Sequence, residues 1–174
     1  MTITATVQRY WEDVLADEQL PGYTLDLTWT KMAEQVSGSQ DFYPVHHDPE
    51  FAREAGHADI FYNTGFTQAA LSRLLTDWVG TGGWVRKLSF QMRKMNMPND
   101  HLRIKGVVTG KSEGDGPMGE VAIDLWIEND RVGITTPAEA TVLLPRRMSS
   151  GGASVSSNER EPGFVLTECA EAGI

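Results

Sequence analysis

Asp41 stands five residues ahead of His46, with Pro44 between them. A carboxylate and an imidazole held on one tight turn can share a water molecule, one group orienting it while the other takes its proton. Pro44 fixes its own φ and removes a backbone donor, so the segment reads as a turn. Immediately downstream, Asp48-Pro49-Glu50 reads as a helix start, with Asp48 at the N-cap and Pro49 at the first helical position. Asp41 and His46 are therefore expected on a short ordered loop between the end of one helix and the start of another. The chemistry that this arrangement suggests is activation of water.

Residues 37–52, Ser-Gly-Ser-Gln-Asp-Phe-Tyr-Pro-Val-His-His-Asp-Pro-Glu-Phe-Ala, resemble the hydratase motif of the MaoC-like, or R-specific enoyl-CoA hydratase, family. Asp41, Pro44, Val45, His46, Asp48, Pro49 and Ala52 fall on its characteristic positions. Two features depart from it. Ser39 and Gln40 separate the Ser37-Gly38 pair from Asp41, and Tyr43 stands where the family usually has Asn. Tyr43 and the segment Asp59-Ile60-Phe61-Tyr62-Asn63 look more like the branch that hydrates bulky, steroid-type enoyl-CoA esters, whose members often work as two different small subunits. The resemblance spans roughly residues 24 to 146 and implies a hot-dog fold.

It also implies the addition of water across the 2,3 double bond of a trans-2-enoyl-CoA. His46 would be the main proton acceptor from water, and Asp41 would position that water and move a proton, although the two labels could exchange. The oxyanion donor would be a backbone N–H at the start of a long helix. Asn63 is ranked first by resemblance, ahead of Thr64 and Gly65, and Tyr43 counts with them among the substrate contacts. No separate cofactor is expected, since coenzyme A is part of the substrate. Its anionic end needs a local basic patch, for which Arg86-Lys87, Arg93-Lys94 and Arg146-Arg147 are the available pairs. Two other functions compete: an acyl-CoA thioesterase on the same fold, and a subunit that shapes the acyl pocket for a partner's active site.

The remaining reactive groups carry less. His47 falls on a variable motif position, and His57 lies in a Gly-containing loop. Adjacent imidazoles such as His46 and His47 rarely converge on one ion, so no metal is expected. Cys169, the one cysteine, has no activating neighbour and cannot form an internal disulfide. Gly80-Thr81-Gly82-Gly83 lacks the Lys-Ser/Thr of a phosphate loop and reads as a turn. Met92, Met95 and Met97 suit adaptable packing at an acyl pocket, at a subunit contact or in the core.

The 174 residues carry a net charge of −9, which repels a nucleic-acid backbone. The N-terminus has no signal-peptide pattern and no apolar run approaches the ~20 residues of a membrane span, so a cytoplasmic location is expected. Apolar spacing predicts a helix over 7–17, and alternation predicts a strand over 24–30 with Leu25, Leu27 and Trp29 in one row. A short helical turn through Met32 and Val36 should follow. The longest helix is expected from Ile60 to Val79, its apolar arc too wide for a surface helix. Four strands then follow, near 84–95, 102–111, 119–128 and 133–144. This is an α+β pattern, a five-stranded antiparallel sheet wrapped around one long helix. Residues 1–147 should form the domain and 148–174 a flexible Ser/Gly-rich tail. The sheet would leave an exposed edge, a liability unless paired, so a homodimer or a heteromer with a related hot-dog subunit is expected.

Overall fold

Alternation along the last three strands lays down the frame. In the computed structural model, which describes residues 8–114 and 116–147, the chain runs β1 (Tyr23–Asp26), α1 (Trp29–Ser39), α2 (Pro49–Glu54), α3 (Thr64–Val79), β2 (Trp84–Phe90), β3 (His101–Ser112), β4 (Met118–Asn129) and β5 (Gly133–Pro145). The strands form one antiparallel sheet in the order β1-β3-β4-β5-β2. On β4, Val121, Ile123, Leu125 and Ile127 are buried while Ala122 and Asp124 are exposed, as a period of two requires. The buried row meets Leu71, Leu74, Leu75 and Trp78 of α3 in a single apolar cluster. The result is a hot-dog fold, a curled five-stranded sheet around one long helix.

The helices differ from expectation at their ends, for local reasons. The predicted strand over 24–30 stops at Asp26, because the Thr28 hydroxyl accepts from the Lys31 N–H and starts α1. Trp29 thus leaves the strand and is exposed. The long helix begins at Thr64 rather than Ile60, because the Asn63 side chain caps it. Its outer face remains open: Gly65, Gln68, Ala69 and Arg73 are exposed.

The helix expected over 7–17 is replaced by one 3-10 turn, Trp11–Asp13, within an irregular strap. Its apolar residues are used one at a time. Val14 enters the core, and Trp11 lies flat on Gly119, where a Cβ would fall 2.3 Å from the indole. Asp17 and Leu20 donate their N–H groups to the carbonyls of Val108 and Gly106. That strap and β1 share one edge of the sheet, and β2 forms the other. The tail expected over 148–174 lies outside the described residues. Among those residues no helix is long and apolar enough to cross a membrane.

Candidate active site

Asp41 follows directly on the end of α1. Gln40 takes the left-handed conformation (φ 57°) that closes that helix, and the turn behind it is stitched by short polar contacts. The Asp41 N–H donates to Ser39 Oγ (3.3 Å), and the Tyr43 N–H donates to Asp41 Oδ1 (3.3 Å). Pro44–His46 then forms a 3-10 turn that buries Val45 and His46. As expected, Asp48 caps α2, accepting from the N–H groups of Glu50 and Phe51.

The structure brings the two sequence candidates together. His46 Nε2 lies 3.4 Å from Asp41 Oδ2, with the imidazole nearly buried and the carboxylate 43% exposed. The other ring nitrogen, Nδ1, lies 2.8 Å from the Phe61 carbonyl oxygen. A carbonyl only accepts, so neutral His46 carries its proton on Nδ1 and presents an Nε2 lone pair to Asp41. Two acceptors facing each other at that distance repel unless a donor sits between them. A water that donates one hydrogen to each satisfies both and leaves its own lone pairs free to attack.

The α3 N-terminus lies beside this pair, tied to it through groups that sequence reasoning overlooked. Gln35 and Ser39 occupy one face of α1, four residues apart. Buried Gln35 accepts the Asn63 N–H at Oε1 (3.2 Å) and reaches the His46 carbonyl with Nε2 (3.5 Å). Ser39 Oγ donates to the Gln35 carbonyl (2.7 Å) and accepts from Asn63 Nδ2 (2.6 Å) as well as from the Asp41 N–H. One serine therefore joins the loop carrying Asp41 to the cap of α3. The available signal was the i, i+4 spacing of Gln35 and Ser39 ahead of Asp41.

This arrangement leaves free amides at Thr64 and Gly65 but not at Asn63, the first-ranked position. The Asn63 N–H is taken by Gln35, and the Asn63 side chain caps the Phe66 N–H at 2.8 Å. Among the described residues, the N–H groups of Thr64 and Gly65 have no acceptor. They are the first donors of a 16-residue helix, where the helix dipole favours negative charge. A groove of about 430 Å³ opens next to them, between α1 and α3, lined by Gln35, Gly38, Ser39, Gly65, Phe66 and Ala69 together with the paired Lys31 and Glu34.

The other candidates scatter. Tyr43 is exposed and meets Phe51 edge to face (5.9 Å) and His46 at 6.4 Å. His47 turns back to the Phe42 carbonyl (3.0 Å), and His57 packs against Phe61 (4.8 Å). The basic pairs do not converge on Asp41 and His46. Arg86 sits at a bulge in β2 and pairs with Glu120. Lys87 faces outward beside Asp124 and Glu139. Arg93 hydrogen-bonds Gln91 Oε1, Lys94 donates to the Val132 carbonyl (2.6 Å), and Arg146 and Arg147 pair with acids of the strap and of a nearby turn. Of this stretch, Met92 comes closest to the site, its sulfur 3.6 Å from Thr64 Oγ1 and 3.4 Å from Thr67 Oγ1.

The fold places an Asp–His pair on the loop after α1, beside free amides at the start of the central helix. The chain matches the family described as MaoC like domain over residues 17–128, and it belongs to that family. Among characterised relatives, it is 29% identical over 85 residues to the 3-oxo-4,17-pregnadiene-20-carboxyl-CoA hydratase beta subunit of Mycobacterium tuberculosis. That match covers 49% of this chain and 66% of the relative, just under two thirds of its length. Similar solved structures include the ChsH1-ChsH2 complex of M. tuberculosis (TM-score 0.67, 22% identity, 76% of this chain and 99% of that one). The (R)-hydratase of A. caviae involved in PHA biosynthesis is comparable (TM-score 0.67, 21%, 77% and 99%). So is the C-terminally truncated HadBC (3R-hydroxyacyl-ACP dehydratase) complex of M. tuberculosis (TM-score 0.62, 16%, 75% and 97%). At these identities the structural likeness speaks for the fold.

Proposed function

We propose that this chain is an enoyl-CoA hydratase that adds water across the 2,3 double bond of a trans-2-enoyl thioester with a bulky, steroid-type acyl group. The observation that carries the reading is His46 Nε2 lying 3.4 Å from Asp41 Oδ2 while Nδ1 lies 2.8 Å from the Phe61 carbonyl, which accepts a hydrogen bond from it in the neutral ring. Water held between His46 Nε2 and Asp41 Oδ2 attacks C3 of the enoyl group. His46 Nε2 takes one of its protons, and negative charge moves to the thioester oxygen. The Thr64 and Gly65 N–H groups stabilise that oxygen; losing one such donor typically costs about 2.7–4 kcal/mol. The Asp41–His46 pair then returns one proton to C2, so the product has gained one water and the protein is unchanged. The groove between α1 and α3 leads to those amides and offers a mostly apolar wall for the acyl thioester.

The steroid-type acyl group is proposed from the similarity to the pregnadiene-carboxyl-CoA hydratase subunit and from the aromatic surroundings of the site. Phe42 and Tyr43, which follow Asp41, are 60% and 58% exposed. Large aromatics standing in solvent next to a half-open carboxylate suit a site whose remaining wall comes from a second hot-dog subunit. We therefore place the working enzyme in a homodimer or a heteromer, in which coenzyme A contacts come partly from the neighbouring chain. Mass spectrometry of the acyl-CoA after incubation tests the reaction. A product heavier by one water, absent with Asp41→Asn, is expected. Release of free acid would mean a thioesterase, and an unchanged ester with every substrate would favour the non-catalytic subunit.

A further inference from the structure

His46 is held by a backbone carbonyl, and that carbonyl has an unusual support. The Phe61 C=O and the Tyr62 N–H are the two polar ends of one rigid peptide plane. The C=O end accepts from His46 Nδ1 at 2.8 Å. The N–H end donates to the main-chain carbonyl of Asn96 at 3.2 Å. Asn96 grips the same residue a second time, its Nδ2 donating to the Tyr62 hydroxyl at 2.6 Å. Turning this plane would break the bonds at both ends, so Asn96 fixes where the acceptor for His46 points. Hydrogen bonds in series also polarise one another, so the bond at the Tyr62 N–H makes the Phe61 oxygen a better acceptor.

Asn96 is in turn fixed from the far side. It is 1% exposed, in a connection between strands where side-chain amides usually meet solvent. Its Nδ2 also donates to Thr135 Oγ1 (3.0 Å), and its Oδ1 accepts from Asn129 Nδ2 (2.8 Å). Asn129, equally buried, donates to Asp100 Oδ2 at 2.7 Å. Asp100 receives the Arg131 guanidinium on both oxygens, each at 2.8 Å, and the Met97 N–H at 2.8 Å. The chain of contacts runs without a gap from a surface arginine to the catalytic imidazole. A buried polar network of this kind can add conformational specificity beyond packing.

Building on the hydratase reading, we infer that Asn96, backed by Asn129, Asp100 and Arg131, is a positioning device that holds His46 in its Nδ1–H tautomer with Nε2 free to act as base. None of the four touches the reacting atoms; each acts through the 61–62 peptide. Outer partners of this kind, where measured around ligating histidines, change activity by about ten- to a hundredfold.

The test is imidazole ¹⁵N NMR of His46 in the full chain, beside kcat, KM and the pH dependence of kcat, for Asn96→Ala, Asn129→Ser and Tyr62→Phe. The wild type should show protonated Nδ1 and unprotonated Nε2. Asn96→Ala and Asn129→Ser should mix the tautomers, lower kcat about tenfold or more and displace the acid limb of the profile, with KM nearly unchanged. Tyr62→Phe removes one hydroxyl and keeps the ring, so it should fold even if the others do not, and should show the same changes in smaller measure. A folded variant with the wild-type tautomer and acid limb overturns the inference, even if kcat has dropped, because the loss is then merely structural. So does a wild type protonated on Nε2. The NMR needs no substrate, so it decides the positioning role even if the protein hydrates no ester.

Discussion

In the proposed reaction, Asp41, His46 and the amides of Thr64 and Gly65 would divide the work between a buried base, a half-exposed carboxylate and two dipoles. Gly65 shows how closely these roles depend on space. A Cβ there would lie 3.5 Å from Asn63 Oδ1 and 3.6 Å from Ser39 Cβ, ordinary contact distances, so the folded chain accommodates alanine. The glycine also costs helix stability, by up to about 1 kcal/mol relative to alanine. Gly65→Ala is therefore expected to raise the melting temperature slightly while the added methyl crowds the thioester against the Gly65 N–H and reduces kcat/KM at least tenfold. Calorimetry and steady-state kinetics on one preparation check both halves. Asp41 and His46 were legible in the sequence because a Pro-centred turn and a helix start set their spacing. Which amides at the start of α3 stay free was not: the engagement of the Asn63 N–H depends on Gln35, 28 residues away, and no local pattern carries that.

At the level of elements, the strands near 102–111, 119–128 and 133–144 could be read directly and the structure follows them to within about one residue, whereas the strand expected over 84–95 ends at Phe90 and the connection to β3 takes the rest. Where the reading failed, tertiary contacts had overruled periodicity. The N-terminal strap has helical spacing, but Trp11 spends its apolar face on Gly119, and Lys111 donates to the carbonyls of Trp11 and Val14. Gly119→Ala should lift Trp11 from its seat, seen as a red-shifted tryptophan emission and lower thermal stability, with little change in turnover. The connection between β2 and β3 is held by polar bonds instead. Burial alone would raise the Asp100 pKa, but bonds from Arg131, Met97 and Asn129 outweigh it and hold the carboxyl below its ordinary range. Its folded pKa is thus depressed, so the stability it contributes is complete above the unfolded value near 3.8 and is lost as pH falls through the folded one. Asp100→Asn should flatten the fall of melting temperature below pH 4. At the other extreme, burial pushes the hydroxyls of Tyr23 and Tyr62 up to about 12, so two of the four tyrosines should ionise late in an ultraviolet titration, and Tyr62→Phe should remove one of them.

For the whole molecule, the sheet has two edge strands, β1 and β2, each hydrogen-bonded to one neighbour. β1 and the strap run along β3, and β2 pairs with β5 alone and leaves its outer edge unpaired by any described strand. An edge of seven residues with its backbone groups open is a ready template for another strand. Light scattering should then give at least twice the 19.2 kDa chain mass, alone or with a related hot-dog partner. A fully active monomer would remove the partner from the account. Such an interface was only partly legible in the sequence: strand number implied an edge, but the strand order that places β2 there is set by long-range pairing.

The most direct test of the central claim is the loss of conjugated-thioester absorbance when the purified protein, alone and with a related hot-dog subunit, meets a steroid-derived trans-2-enoyl-CoA. The account predicts a decline without release of free thiol, abolished by His46→Gln. Undiminished turnover in His46→Gln, or thiol appearing as the absorbance falls, would contradict it.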